Sequence, residues 1–129
     1  MDDHTTGEIE ATVEQNRCLW PSLTPAAREL IMAMDSPGGT LRSLDELGER
    51  MGRTRGSVLG VLRGLGAKIK RAFPDEFTMQ ILDSHGQTTY TSVLFHEELS
   101  DHPEIDGMWL FIRRPALHAF LVSEGLLSD

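Results

Sequence analysis

His85, His96, His102 and His118, with Glu97, Glu98 and Asp101 nearby, are residue types that could hold a divalent metal. Their spacing matches no closed zinc pattern, and the single cysteine, Cys18, lies far from them in sequence, so no metal is expected. Asp83, Ser84 and His85 supply the residue types of a hydrolytic triad. With Gly86 they also form a stretch whose backbone preferences favour a turn, and that accounts for them without chemistry. No glycine pattern that cradles a nucleotide stands between a strand and a helix. The chain is therefore expected not to be an enzyme and to need no cofactor.

Charge is the stronger signal. The 129 residues carry a formal net charge of −8, which argues against a chain that simply coats nucleic acid, because affinity for phosphate comes from Lys and Arg. The distribution is uneven. Arg50, Arg53, Arg55, Arg63, Lys68, Lys70 and Arg71 lie in one stretch with no acidic residue, a segment of +7 that leaves −15 for the rest. Glu97, Glu98, Asp101, Glu104 and Asp106 concentrate the opposite sign, in what reads as an acidic loop over 97–107. Its simplest reading is a solvated connection; a sharper one makes it a competitor for the basic segment.

The elements that must position the basic stretch can be read from caps and periodicity. Residues 1–20 read as an acidic arm, with some helical character from about Gly7 because Ile9 and Val13 lie four apart. Thr24-Pro25 opens a first helix over about 25–35, with Ala27, Leu30, Ile31 and Met34 on one face. Ser36-Pro37-Gly38-Gly39 ends it. Ser43 and Glu46 make a capping box for a second helix of about eight residues. Gly52 supplies a turn, Thr54 caps again, and a third helix follows with Val58, Val61, Leu62, Leu65, Ile69 and Ala72 inward. This helix carries the basic segment. Phe77, Met79 and Ile81 then alternate, and Thr88, Tyr90, Val93 and Phe95 resume a strand-like run, predicting a β-hairpin over 77–95. Met108–Ile112 suits a buried strand, and Pro115 opens a last helix with the stripe Leu117, Phe120 and Leu121. That stripe fits the core or a two-fold homodimer interface.

Helix, turn, helix and hairpin in this order predict an α+β fold of the winged helix-turn-helix kind: a three-helix core, a hairpin wing, and an additional C-terminal strand and helix. The domain spans 21–129, with the helix-turn-helix at 43–73. Leu47, Gly48, Met51, Gly52, Val58 and Val61 occupy the apolar, small and turn positions of the motif. Arg53 departs from it, standing where an apolar residue is usual. From Leu23 to Arg71 the chain resembles the C-terminal, promoter-reading helix-turn-helix region of bacterial sigma factors. The resemblance rests on Leu23-Thr24-Pro25, on Ser43-Leu44-Asp45-Glu46-Leu47-Gly48-Glu49-Arg50 and on Thr54-Arg55 followed by Val58. It implies DNA-facing positions at Thr54, Arg55, Ser57 and Arg63 but, covering under half the chain, does not imply sigma activity.

Gly56, Gly60 and Gly64 fall on the outer side of the third helix. Each interior glycine costs about 1 kcal/mol relative to alanine. Either they leave a bare strip that lets DNA or a partner helix approach closely, or the helix breaks near Gly64-Leu65-Gly66. The expected DNA-binding residues are Arg53, Thr54, Arg55, Ser57, Gly60, Arg63, Lys70 and Arg71. The leading expectation is a cytoplasmic bacterial or phage transcription regulator that binds double-stranded DNA. The alternative is an adaptor or inhibitor that uses the same scaffold to bind a protein such as the transcription machinery. No segment reads as a membrane span.

Overall fold

The computed structural model describes residues 10–74, 81–82, 88–99 and 109–128. Within them the chain is an α+β fold of five α-helices and a small antiparallel sheet. The elements are α1 (Val13–Leu19), α2 (Pro25–Ala33), β1 (Arg42–Ser43), α3 (Leu44–Met51), α4 (Arg55–Ala72), β2 (Ile81–Leu82), β3 (Thr88–Thr89), β4 (Phe95–Leu99), β5 (Trp109–Arg113) and α5 (Pro115–Ser123). The three-stranded sheet has the order β1-β5-β4, and β2 pairs with β3 separately.

Caps set the helix starts. Thr24 Oγ1 accepts from the Ala27 amide at 3.1 Å, and Pro25 occupies the first turn of α2, where its missing N–H is no loss. Ser43 Oγ accepts from the Glu46 amide at 3.2 Å while Glu46 Oε1 accepts from the Ser43 amide at 2.9 Å, closing the expected capping box of α3. The end of α2 is capped from afar. Arg113 Nη1 donates to the carbonyl of Ile31 at 2.9 Å and to that of Met34, placing a cation at the negative end of the helix. Burial lowers the Arg113 pKa, and Asp35 nearby opposes that shift.

One core collects Leu30 and Ile31 of α2, Leu47 of α3, Val58, Leu65 and Ile69 of α4, Phe95 of β4, Phe111 of β5, and Leu117, Phe120 and Leu121 of α5. The α5 stripe is therefore consumed inside the chain and is not free to form a two-fold interface. Much of its cover comes from residues expected in the N-terminal arm. Thr12 and Gln15 form a capping box for α1, Leu19 is buried, and the Trp20 ring meets Phe120 edge-on at 5.8 Å. Glu10 Oε2 accepts from the Ala116 amide at 2.7 Å, at the start of α5. Residues 10–20 are thus part of the packed body.

The region after α4 also differs from the sequence reading. Ile81 and Leu82 do pair with Thr89 and Thr88, but Tyr90–Val93 is a 3-10 turn and Phe95–Leu99 belongs to the other sheet, paired with β5. The break has a tertiary cause. Ser92 and Val93 are buried and their carbonyls accept from Arg114 Nε at 2.6 Å and from the Ala11 amide at 2.9 Å, partners that no local alternation reveals. Glu97 and Glu98, expected in the acidic loop, are strand residues, and Glu97 turns inward to accept from Thr91 Oγ1 at 2.6 Å. Strand β1 was not foreseen, because two residues are too short for a period to show. Phe77, Met79, the turn 83–86 and most of the acidic stretch lie outside the described residues. Among the described residues no helix is long and apolar enough to cross a membrane.

Candidate nucleic-acid interface

The turn between α3 and α4 is built from two glycines with different reasons to be there. Gly52 adopts φ 69°, a left-handed conformation that suits glycine at a helix C-cap. Gly48 is fixed by crowding: a Cβ there would stand 2.6 Å from the Arg53 carbonyl oxygen and 3.4 Å from Val58 Cγ2. The two helices therefore cross closely. Thr54 Oγ1 then accepts from the Ser57 amide at 3.2 Å and starts α4.

Helix α4 runs unbroken through Gly64-Leu65-Gly66, so of the two sequence readings the continuous helix is the one found. Val58, Leu65 and Ile69 face the core. Arg55, Gly56, Gly60, Arg63, Gly64, Ala67, Lys70 and Arg71 are exposed. A Cβ added at Gly56, Gly60 or Gly64 would meet no atom within 4 Å, so nothing in the chain's own packing requires glycine at these positions.

The cations of this segment fall into distinct groups. Arg50 is structural, donating to the Ala33 carbonyl at 2.7 Å and to Asp35 at 2.8 Å. Arg53 lies 3.5 Å from Glu29 and donates to Ser57 Oγ at 3.2 Å, and Arg55 lies 3.9 Å from Asp45. Lys68 Nζ donates to the Ser22 carbonyl at 2.8 Å, and Lys70 Nζ sits 5.9 Å from the centre of the Tyr90 ring. Arg63 and Arg71 are exposed and make no hydrogen bond or ion pair among the described residues. The eight residues expected at an interface thus lie on α4 and its N-terminal turn, but the two N-terminal arginines face acids.

Between the start of α2 and α4 lies a groove of about 390 Å³, lined by Leu23, Thr24, Ala27, Ser57, Gly60, Val61, Gly64, Leu65 and Lys68. The sequence reading placed Gly60 and Ser57 at a surface but missed the contribution of Leu23, Thr24 and Ala27. Their periodicity marked them as helix start and core, and only the crossing of α2 and α4 brings them to the same opening.

His96 Nε2 lies 3.1 Å from Glu98 Oε1, and among the described residues no three His, Cys, Asp or Glu side chains converge on a metal-sized site. His85, Asp101 and His102 lie outside the described residues. Comparison with protein-family models, curated proteins and solved structures gives no significant match.

Proposed function

We propose that the chain is a cytoplasmic, DNA-binding regulator of the winged helix-turn-helix kind, which holds phosphates with the outer face of α4 and carries out no chemistry. The support in the fold is the order α2, β1, α3, α4, β4, β5, with the last strand between the other two. On this reading β4 and β5 are the strands of the wing, and the β2–β3 pair, Ile81–Leu82 with Thr88–Thr89, is an addition between α4 and the sheet.

The observation that carries the reading is the pair Arg63 and Arg71, exposed and without an ion-pair partner among the described residues, on the helix that follows the turn. Guanidinium groups in that state can neutralise phosphates without first breaking an internal ion pair. Base reading rests on Arg55 and Ser57, because Gly56 and Gly60 offer no side chain to a base edge. The sequence between β4 and β5 holds Asp101, Glu104 and Asp106 and no Lys or Arg, so it offers no cation to a minor groove.

That acidic connection, with exposed Asp45, Glu46 and Glu49 on α3, favours the second reading, a scaffold that binds protein. A mobility-shift titration of the full chain with random-sequence duplex at two salt concentrations decides between them. DNA binding predicts affinity that falls steeply with salt. Absence of salt-sensitive binding at low ionic strength removes the DNA reading.

A further inference from the structure

Resting on the DNA-binding reading, we infer that Glu29 and Asp45 are specificity-determining residues, which hold Arg53 and Arg55 off phosphates and present them to base edges. The two acids come from different helices, α2 and α3, and meet the first residues of α4 and the turn before it. Arg53 Nε lies 3.5 Å from Glu29 Oε1, and Arg55 Nη1 lies 3.9 Å from Asp45 Oδ2. All four residues are exposed, so an approaching phosphate meets guanidinium groups that already have an anion beside them.

The cations of this helix thereby divide by position. Arg63 and Arg71 have no ion-pair partner among the described residues, whereas both arginines at the start of α4 have one. A guanidinium without a partner gains affinity from a phosphate at any sequence, by releasing the counterions held there. One that faces a carboxylate exchanges one anion for another, and its gain is reduced by what the pair was worth. The carboxylate also repels the phosphate directly. The start of α4 therefore adds little to sequence-independent binding.

A base edge is a different partner. Guanine offers two neutral acceptors, O6 and N7, and takes two N–H donors from one arginine. A guanidinium has five donors in a fixed fork, so it can keep one edge toward its carboxylate and give another to the base. The pair then survives binding, and the carboxylate fixes the direction in which the fork points. Arg53 is held from a second side, since its Nη1 donates to Ser57 Oγ at 3.2 Å. Specificity is a difference of affinities, and an anion that opposes phosphate contact more than guanine contact widens that difference.

The test is a salt titration of the full chain and of its Glu29→Gln, Asp45→Asn double variant. The probes are a random-sequence duplex and duplexes enriched from a random pool by the wild type. Both substitutions keep the side-chain shape at exposed positions, so the variant is expected to stay folded. It should bind the random duplex at least about threefold more tightly, the combined worth of two exposed ion pairs. The slope of log affinity against log salt should steepen by up to about 1.8, as two arginines become available to phosphates. The preference for the enriched duplexes should fall. Glu14→Gln with Glu124→Gln is the control, removing the same charge from the acids that face Arg17 where α1 meets α5. It is expected to leave that preference unchanged. The inference is overturned if the wild type binds duplex and the Glu29, Asp45 variant matches it in affinity and slope, if the control gains as much, or if the preference is kept. Each of these outcomes leaves the DNA reading standing. Absence of duplex binding by wild type and variant alike removes both.

Discussion

Gly48 and Arg53 are in backbone contact across the turn between α3 and α4: the Arg53 amide donates to the Gly48 carbonyl at 2.8 Å, and a Cβ on Gly48 would stand 2.6 Å from the Arg53 carbonyl oxygen. The obstacle is backbone, not the flexible end of a side chain. Gly48→Ala should therefore push α3 and α4 apart and cost about 1 to 3 kcal/mol, the usual range for overpacking. Urea denaturation followed by circular dichroism measures it, and an unchanged midpoint would mean the crossing is looser than described.

The opposite sign is expected one helix further on. Gly60 and Gly64 lie inside α4 with open space beyond them, so alanine adds helix propensity and meets nothing. Each of Gly60→Ala and Gly64→Ala should stabilise the domain by up to about 1 kcal/mol. A thermal melt checks this, and a loss of stability in either variant would show that the outer face of α4 is covered in solution.

Ser43 combines two roles, capping α3 and pairing with Leu110 at the edge of the sheet. Ser43→Ala removes only the first, because the strand pairing is made by backbone. The expected cost is about 1 kcal/mol, within the range for a lost N-cap. A variant as stable as the wild type, with unchanged circular dichroism, would show that the Glu46 half of the capping box suffices.

The helices and their caps were legible because they are local: Thr24-Pro25, Ser43 with Glu46, Gly52 and Thr54 each act within a few residues of their own position. What was not legible depends on partners far along the chain. Trp20, read as the end of an arm, packs on Phe120 a hundred residues further along, and the 3-10 turn at Tyr90–Val93 exists because Arg114 and Ala11 claim its carbonyls. The outer face of α4 followed from its period, whereas its groove required knowing that the start of α2 crosses it. Arg53 and Arg55, expected at a DNA interface, lie beside Glu29 and Asp45, acids that the folding of α2 and α3 against the start of α4 brings to them.

Asp35 gathers the loop after α2, β1 and α3 around one carboxylate, which accepts from the Thr40 amide at 3.0 Å, Arg42 Nε at 3.2 Å and Arg50 Nη1 at 2.8 Å. Burial alone would raise its pKa, but the Thr40 amide and the two guanidinium groups outweigh that and hold it at about 2. A folded pKa below the unfolded one means that the stabilisation is complete above about pH 4 and is lost as pH falls toward 2. The shift from 3.8 corresponds to roughly 2 kcal/mol. Asp35→Asn should lower stability at pH 7 and flatten the acid limb of the stability curve between pH 4 and 2. Parallel pH profiles for variant and wild type would remove Asp35 as the organising anion.

Arg63 and Arg71 should separate affinity from discrimination. Both are exposed and without partners among the described residues, so replacing them with alanine costs the fold little while removing cations from the outer face of α4. If each neutralises one phosphate, the double variant should bind every duplex more weakly and flatten the slope of log affinity against log salt by about 1.8, since each contact contributes about 0.9. Arg55→Ala should behave differently. Its pair with Asp45 is exposed and stretched to 3.9 Å, so breaking it changes stability little, and its place in the first turn of α4 suits a base edge. It should lose about 1 to 3 kcal/mol of discrimination at one base position while keeping nonspecific affinity. Competition between random and selected duplexes on the purified variants reads both effects. An unchanged salt slope in the Arg63 and Arg71 double variant would take the phosphate contacts off α4, and with them the reason for placing this helix on DNA.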